Sequence, residues 1–425
     1  MEIKTVRSPL LNEEYRSFTH KSGLRVFFFP KDMSSSYAII AAKFGSADNR
    51  FRFEGRDISV PDGVAHFLEH KMFENEDGED SFLKFGRYGA EANAFTGFSS
   101  TAYEFSATDN LNESLKVLLE MVSSPYFTDE NVEKEQGIIA QEIKEYEDEP
   151  TTAVEFAALR CMYEHNAVRL PIAGTVGSIS KITPEILYGC HRAFYNPSDL
   201  ILCLCGKFDF DECVSVIDEV FGNTEKSEVC TISAAENDSI FRDGETLYMD
   251  VGIPLYCIGA KMHRYGDPVR DLKVSVASSL IGNILMGPSS ELFNEFYESG
   301  LSHDMTAYPM VSRSLSAFFV NGSSEDPDKV YEKIKRKFSD ARRDGIGADD
   351  FERNRRVLIG SFVRKFDNTA GIASSLVCDC EINGYGIFDY AEMLNGFTVG
   401  ELNEILDKEF GEDRFVLAKV MPKSK

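Results

Sequence analysis

The chain has 425 residues, 43% of them hydrophobic and 27% charged, a length that divides into two or three domains with room to bury a catalytic site. Its 70 acidic against 45 basic residues leave a formal charge of −25, which repels a phosphate backbone, excludes nucleic acid as an expected partner and favours neutral or cationic peptides. No apolar tract reaches the roughly 18 residues that would span a membrane, and nine scattered cysteines show no disulfide framework, so most are expected to be reduced core residues.

The opening "MEIKTVRSPLLNEEYRS" lacks the apolar core of a signal peptide, and a cytoplasmic location is expected. "YAIIAAKFG" (37–45) reads as an apolar strand. "GVAHFLEHKMF" (63–73) comes next, with His66, Glu69 and His70 at helical spacing i, i+3 and i+4, hence on one face. Two imidazoles can there converge on one ion with a carboxylate beside them. That set suits zinc, whose catalytic sites take three protein ligands and keep a position open. A lone histidine on such a helix would read as a hydrogen-bonded core residue; H-x-x-E-H is instead the inverted zincin motif. A third ligand is missing locally.

"EANAFTGFSSTAYEFSATDNLNESLKVLLEMV" gives two alternating strands, a polar turn and a helix. The next helix, "NVEKEQGIIAQEIKEYEDEP" (131–150), follows a capping Asp and carries Glu135 and Glu142 two turns apart, so the two share a face. Glu142 lies at the edge of the apolar stripe marked by "GIIA" and is the candidate third ligand. Glu133, Glu145, Glu147 and Glu149 read as solvated.

"GNTEKSEVCTISAAENDS" (222–239) is polar, small and without a period, and marks a joint. Beyond it the pattern repeats, offset by about 215 residues. "LYCIGAKMH", then "HDMTAYPMVSRSLSAFFVNGSSEDPDKVYEKIKRKF", then "GADDFERNRRVLIGSFVRKF" answer the strand, the strand pair with its helix, and the long charged helix of the first half. The expected organisation is a metal-binding domain over 1–222, a linker over 223–245 and a homologous domain over 246–425. Each domain mixes antiparallel strands with helices, the α+β class. The second copy has "VASSLIGNILMGPSSELF" in place of the metal helix, so one chain carries one site.

Together "GVAHFLEHKMF", "GAEANAFTGFSSTAYEF", "EKEQGIIAQEI", "LPIAGTVGSISKIT" and "FYNPSDLILCLCGKFD" resemble, in order and over nearly the whole chain, the pitrilysin/insulinase zinc metallopeptidases. The likeness is closest to the bacterial half-size members, in which two homologous domains make half of a clamshell. The resemblance implies zinc held by His66, His70 and Glu142, Glu69 as general base and Glu135 as an accessory acid of the catalytic centre. It also implies that the "NAFT" strand, with Asn93, Ala94 and Phe95, accepts a peptide as an added strand.

The second copy departs from the family pattern, which places an arginine and, seven residues later, a tyrosine against the substrate. Here Phe296 or Tyr297 falls at the first position and His303 or Asp304 near the second. Either His303 or Tyr308 substitutes as a substrate-binding group, or a second subunit brings the donor, in a homodimer or a heterodimer with a paralogue lacking the metal motif. The expected activity is zinc-dependent endopeptidase action on small or unfolded peptides. The competing reading is a non-catalytic or conditionally active subunit of a heteromeric processing complex.

Overall fold

The computed structural model describes residues 2–423. Its strands are β1 (Lys4–Ser8), β2 (Glu13–Thr19), β3 (Arg25–Pro30), β4 (Ser36–Ala42), β5 (Arg50–Phe53), β6 (Arg56–Ser59), β7 (Glu91–Thr96), β8 (Thr101–Ala107), β9 (Leu200–Gly206), β10 (Val229–Thr231), β11 (Gly244–Met249), β12 (Leu255–Lys261), β13 (Thr306–Val311), β14 (Ser316–Ser323) and β15 (Phe415–Pro422). The first five helices, which include both that carry the candidate metal ligands, are α1 (Val64–Lys71), α2 (Ser81–Arg87), α3 (Leu111–Ser123), α4 (Asp129–Glu147) and α5 (Pro150–Met162). Among the described residues no helix is long and apolar enough to cross a membrane.

The fold is α+β, as expected, and the internal repeat is visible in its topology. One sheet runs β1-β2-β3-β9-β4-β8-β7 and another β11-β15-β12-β14-β13. Removing β1 and β2 from the first leaves the order of the second, strand for strand. In each, the first pair of that shared order is parallel, β3 with β9 and β11 with β15, and the rest are antiparallel. Central strands are apolar along their length because they are covered on both faces: every residue of β4 and of β9 is buried. β7 ends its sheet and alternates exposed with half-buried positions, as a strand covered on one face does.

The described chain forms two compact units, and neither is contiguous. The first takes residues up to Ile143, Pro171–Ser233 and Val363–Phe388; the second takes Lys144–Leu170, Ala234–Phe362 and the residues from Asp389 onward. This departs from the expected cuts at 222 and 246 in two segments that change sides. α5, from the first half of the sequence, packs on β11, β12 and β15, and the Tyr163 hydroxyl just after it donates to the Ser316 carbonyl at 2.9 Å. In return, the helix Thr369–Ser374 packs on β4 and β9. The expected linker is not featureless either: β10 pairs antiparallel with β5 in the first unit, while Glu236 accepts from the backbone N–H groups of residues 164–166 in the second.

In the first unit Ala38, Ile40, Tyr103, Phe105, Leu202 and Leu204 join one core with Phe67 and Leu68 of α1 and Leu115 and Leu119 of α3. The alternate residues Tyr37, Ile39, Cys203 and Cys205 are buried too, on the other face, where the exchanged segment lies. Phe366 and Phe388 bring their rings to 6.1 and 6.3 Å from Phe29, and Arg25 pairs with Glu381 at 3.0 Å. All nine cysteines are free and seven are buried.

Candidate metal centre

α1 begins at a backbone contact. Gly63 adopts φ +89°, a left-handed conformation that glycine takes without steric cost, and a Cβ there would lie 2.4 Å from the Ala173 carbonyl oxygen. The close approach fixes where α1 starts, and therefore where its face points. His66 and Glu69 are buried and His70 half-buried, with the two imidazole rings 4.6 Å apart between centroids.

α4 is capped by Thr128 rather than by Asp129: the Thr128 hydroxyl accepts from the Asn131 N–H at 3.2 Å while the Asn131 side-chain oxygen accepts from the Thr128 N–H at 2.9 Å, a reciprocal cap. Val132, Glu135, Ile139 and Ile143 then form its buried stripe. Ile138, read with Ile139 as apolar core, is exposed. Glu142 lies at the stripe's edge.

These two helices bring one carboxylate against two imidazoles. Glu142 Oε1 lies 3.5 Å from His66 Nε2 and Glu142 Oε2 lies 3.5 Å from His70 Nε2, and one ligand atom from each of the three residues falls within 4.8 Å of the others. Zinc with arms of about 2.0–2.1 Å in a tetrahedron separates neighbouring ligand atoms by roughly 3.4 Å, so the donor set fits that ion in kind and spacing. His70 Nδ1 is 3.1 Å from Glu135 Oε1. With the proton on Nδ1 donated to that carboxylate, the Nε2 lone pair is left to face Glu142, the arrangement a metal-binding histidine requires. Glu135 therefore serves the cluster through His70. His66 Nδ1 is buried and has no hydrogen-bond partner among the described residues.

The electrostatics follow from burial and proximity. Burial raises the Glu69 carboxyl above its ordinary range, against a Thr96 hydrogen bond and the nearby imidazoles. Burial alone would depress His70, but the Glu135 hydrogen bond and the carboxylates of Glu142 and Glu69 outweigh it and raise the imidazole. Glu135 shows the reverse balance: burial pushes it up, and His70 with Lys71 brings it below its usual value.

Sequence reasoning missed the group that holds Glu69. The Thr96 hydroxyl, at the end of β7, donates to Glu69 Oε2 at 2.5 Å and lies 3.3 Å from the Thr101 hydroxyl, which donates to the Phe44 carbonyl. Strand alternation carried a usable signal: Ala92, Ala94 and Thr96 are half-buried while Glu91, Asn93 and Phe95 are exposed, so Thr96 turns inward toward α1. Of the three expected substrate residues, Asn93 and Phe95 share the exposed face of β7 and Ala94 the covered one. His303 and Tyr308 belong to the second unit. The Tyr308 hydroxyl donates to Glu155 at 2.8 Å and accepts from Asn321 at 3.0 Å, and the exposed His303 ring stands edge-on to Tyr297 at 5.3 Å. Phe296, at one of the two positions that the family pattern offers for its arginine, is buried.

Residues 53–176 match the model described as insulinase, peptidase family M16, and residues 181–358 match the one described as the peptidase M16 inactive domain. A Bacillus subtilis protein named as an uncharacterised zinc protease, YmfH, is 35% identical over 99% of this chain and all of its own length. The crystal structure of a putative M16-like peptidase from Alicyclobacillus acidocaldarius superposes with a TM-score of 0.93 at 32% identity, covering 98% of this chain and 100% of that one. A Helicobacter pylori protease shares the fold, with a TM-score of 0.84 at 18% identity over 96% of this chain and 100% of that one.

Proposed function

The chain belongs to the insulinase peptidase family, M16, and from that premise we propose that it is a zinc-dependent endopeptidase cleaving small or unfolded peptides. The observation that carries the reading is the convergence of His66, His70 and Glu142 within 4.8 Å, with Glu69 on the same helix held by Thr96. His66, His70 and Glu142 are the zinc ligands. When bound, zinc supplies a Lewis acid that polarises the scissile carbonyl and acidifies water.

The rest is the work of the chain's own groups. Glu69 takes the proton of the attacking water and passes it to the leaving amine; burial, which favours its neutral form, suits a carboxylate that must hold a proton between those steps. Glu135 keeps the His70 ring oriented. An extended peptide adds to β7, the last strand of its sheet, whose outer backbone groups bind with little sequence preference. Asn93 and Phe95 on its exposed face contact the peptide's side chains. The acidic surface favours cationic peptides. With Phe296, Tyr297, His303 and Asp304 where the family pattern has its arginine and tyrosine, the donor that steadies the carbonyl oxygen is assigned to a second subunit, another copy or a paralogue.

Metal content and cleavage of a quenched peptide library, measured for wild type and Glu69→Gln, test this reading. The expected result is one zinc per chain in both proteins, with cleavage in wild type alone. Zinc without cleavage, even with the paralogous subunit added, would leave the chain as a non-catalytic member of a complex. Absence of zinc would remove the enzymatic reading.

A further inference from the structure

The turn that carries the metal helix into the core contains a charge that the proposed chemistry does not use. Lys71 follows His70 directly, and Val64, Leu68, Lys71 and Met72 have the spacing of one helix face, so the lysine stands on the apolar stripe of α1. It is 0% exposed, with Leu68 and Met72 buried beside it. A buried ammonium costs several kcal/mol unless it is paired, and here three groups pair it. Its Nζ lies 2.6 Å from Glu74 Oε2 and 3.7 Å from Glu135 Oε2, and it donates to the Asn131 carbonyl at 3.3 Å.

Two of those partners are on α4. Asn131 is in its first turn, and Glu135 presents its other oxygen, Oε1, to His70 Nδ1. One ammonium thus joins α1, which carries His66 and His70, to α4, which carries Glu142. It also holds the far side of the carboxylate that orients His70. We propose that Lys71 is a positioning residue of the metal centre, holding Glu135 against His70 and α4 against α1, and so setting the affinity of the site for zinc. The proposal rests on the reading of the site as a zinc centre.

The test is zinc affinity, by competition with a chromophoric chelator, for the full chain as wild type, Lys71→Met, Glu135→Gln and the double variant. Each single substitution is expected to weaken zinc binding about 10- to 100-fold, as loss of a partner behind a metal ligand does. The double variant is expected to bind no more weakly than the weaker single one, because both break the same link. Charge alone predicts the opposite sign for Lys71→Met, since removing a nearby cation favours binding of another. Unchanged or tighter zinc binding in Lys71→Met, or losses that multiply in the double variant, overturn the proposal. Lys71→Gln, which keeps a donor for the Asn131 carbonyl and drops the charge, covers the case in which the methionine variant does not fold: wild-type affinity in that protein overturns the proposal equally. A wild type that binds no zinc overturns the metal reading itself, whereas a zinc-binding wild type with indifferent Lys71 variants overturns only the role of Lys71.

Discussion

At the scale of single residues, the hydroxyl of Thr96 fixes one oxygen of Glu69, and the proposed mechanism leaves the other to meet water. Thr96→Val keeps the shape and removes the hydrogen bond. It is expected to lower kcat on a library-derived peptide about 10- to 100-fold, part of what a general base contributes, with KM and zinc content unchanged; Thr96→Ser should stay near wild type. His191 illustrates a residue whose charge state matters to the fold. Its Nε2 lies 2.9 Å from the Val122 carbonyl, and burial lowers its pKa from 6.5 to about 4, against the hydrogen bond that favours the charged form. The folded state therefore prefers the neutral ring. The stability this provides is complete above pH 6.5 and is lost as pH falls toward 4, a total of roughly 3 kcal/mol at 1.36 kcal/mol per unit. Urea midpoints measured in chelator between pH 7 and about 4.5 should fall more steeply for wild type than for His191→Gln. Parallel curves would place the acid sensitivity elsewhere.

At the scale of elements, α1 is aimed by the residue just before it, Gly63. Gly63 meets the Ala173 carbonyl, and Gly174, also left-handed, meets the Asp62 carbonyl in turn; two backbones approach closely because neither residue has a side chain. Gly63→Ala adds about 1–2 kcal/mol of left-handed strain and a contact that must move α1 or the 173–174 segment. A lowered thermal midpoint and weaker zinc binding are expected together, since the helix that shifts carries two of the proposed ligands. Weaker stability with unchanged zinc affinity would show that α1 keeps its aim without this contact. The 3.6-residue period made α1 and α4 legible, because spacing along a helix is a local property. Local spacing equally placed Glu142 at the edge of its stripe. It could not separate Ile138 from Ile139, adjacent apolar residues of which only the second is buried, and it put the cap of α4 one residue late, because Asp129 and Thr128 differ only in what their side chains reach.

At the scale of the molecule, the two repeated halves are completed by each other's segments. The stretch Val363–Phe388 belongs to the first unit and covers the face that carries Tyr15, Phe29, Ile39 and Cys203, all buried. A fragment of residues 1–222, the domain expected from composition, lacks that cover and retains α5 without the sheet it packs on. Exposed contiguous apolar surface of this kind leads to association. The fragment is expected to bind a hydrophobic dye and aggregate, whereas the full chain stays monodisperse. A soluble, zinc-binding fragment would show that the exchanged segment is dispensable.

The class of fold, the internal repeat and the three residues that converge as a candidate metal site were legible in the sequence, because strand alternation, helix period and an H-x-x-E-H spacing are each written within a few neighbouring positions. Only the tertiary structure decided that Thr96 and Lys71 stand behind Glu69 and Glu135, and that α5 and Val363–Phe388 belong to opposite units from their neighbours in sequence. Those facts are contacts between residues far apart in the chain. A buried lysine, an inward threonine and an amphipathic helix look locally like many others, and what each pairs with is settled when the sheets close on their helices.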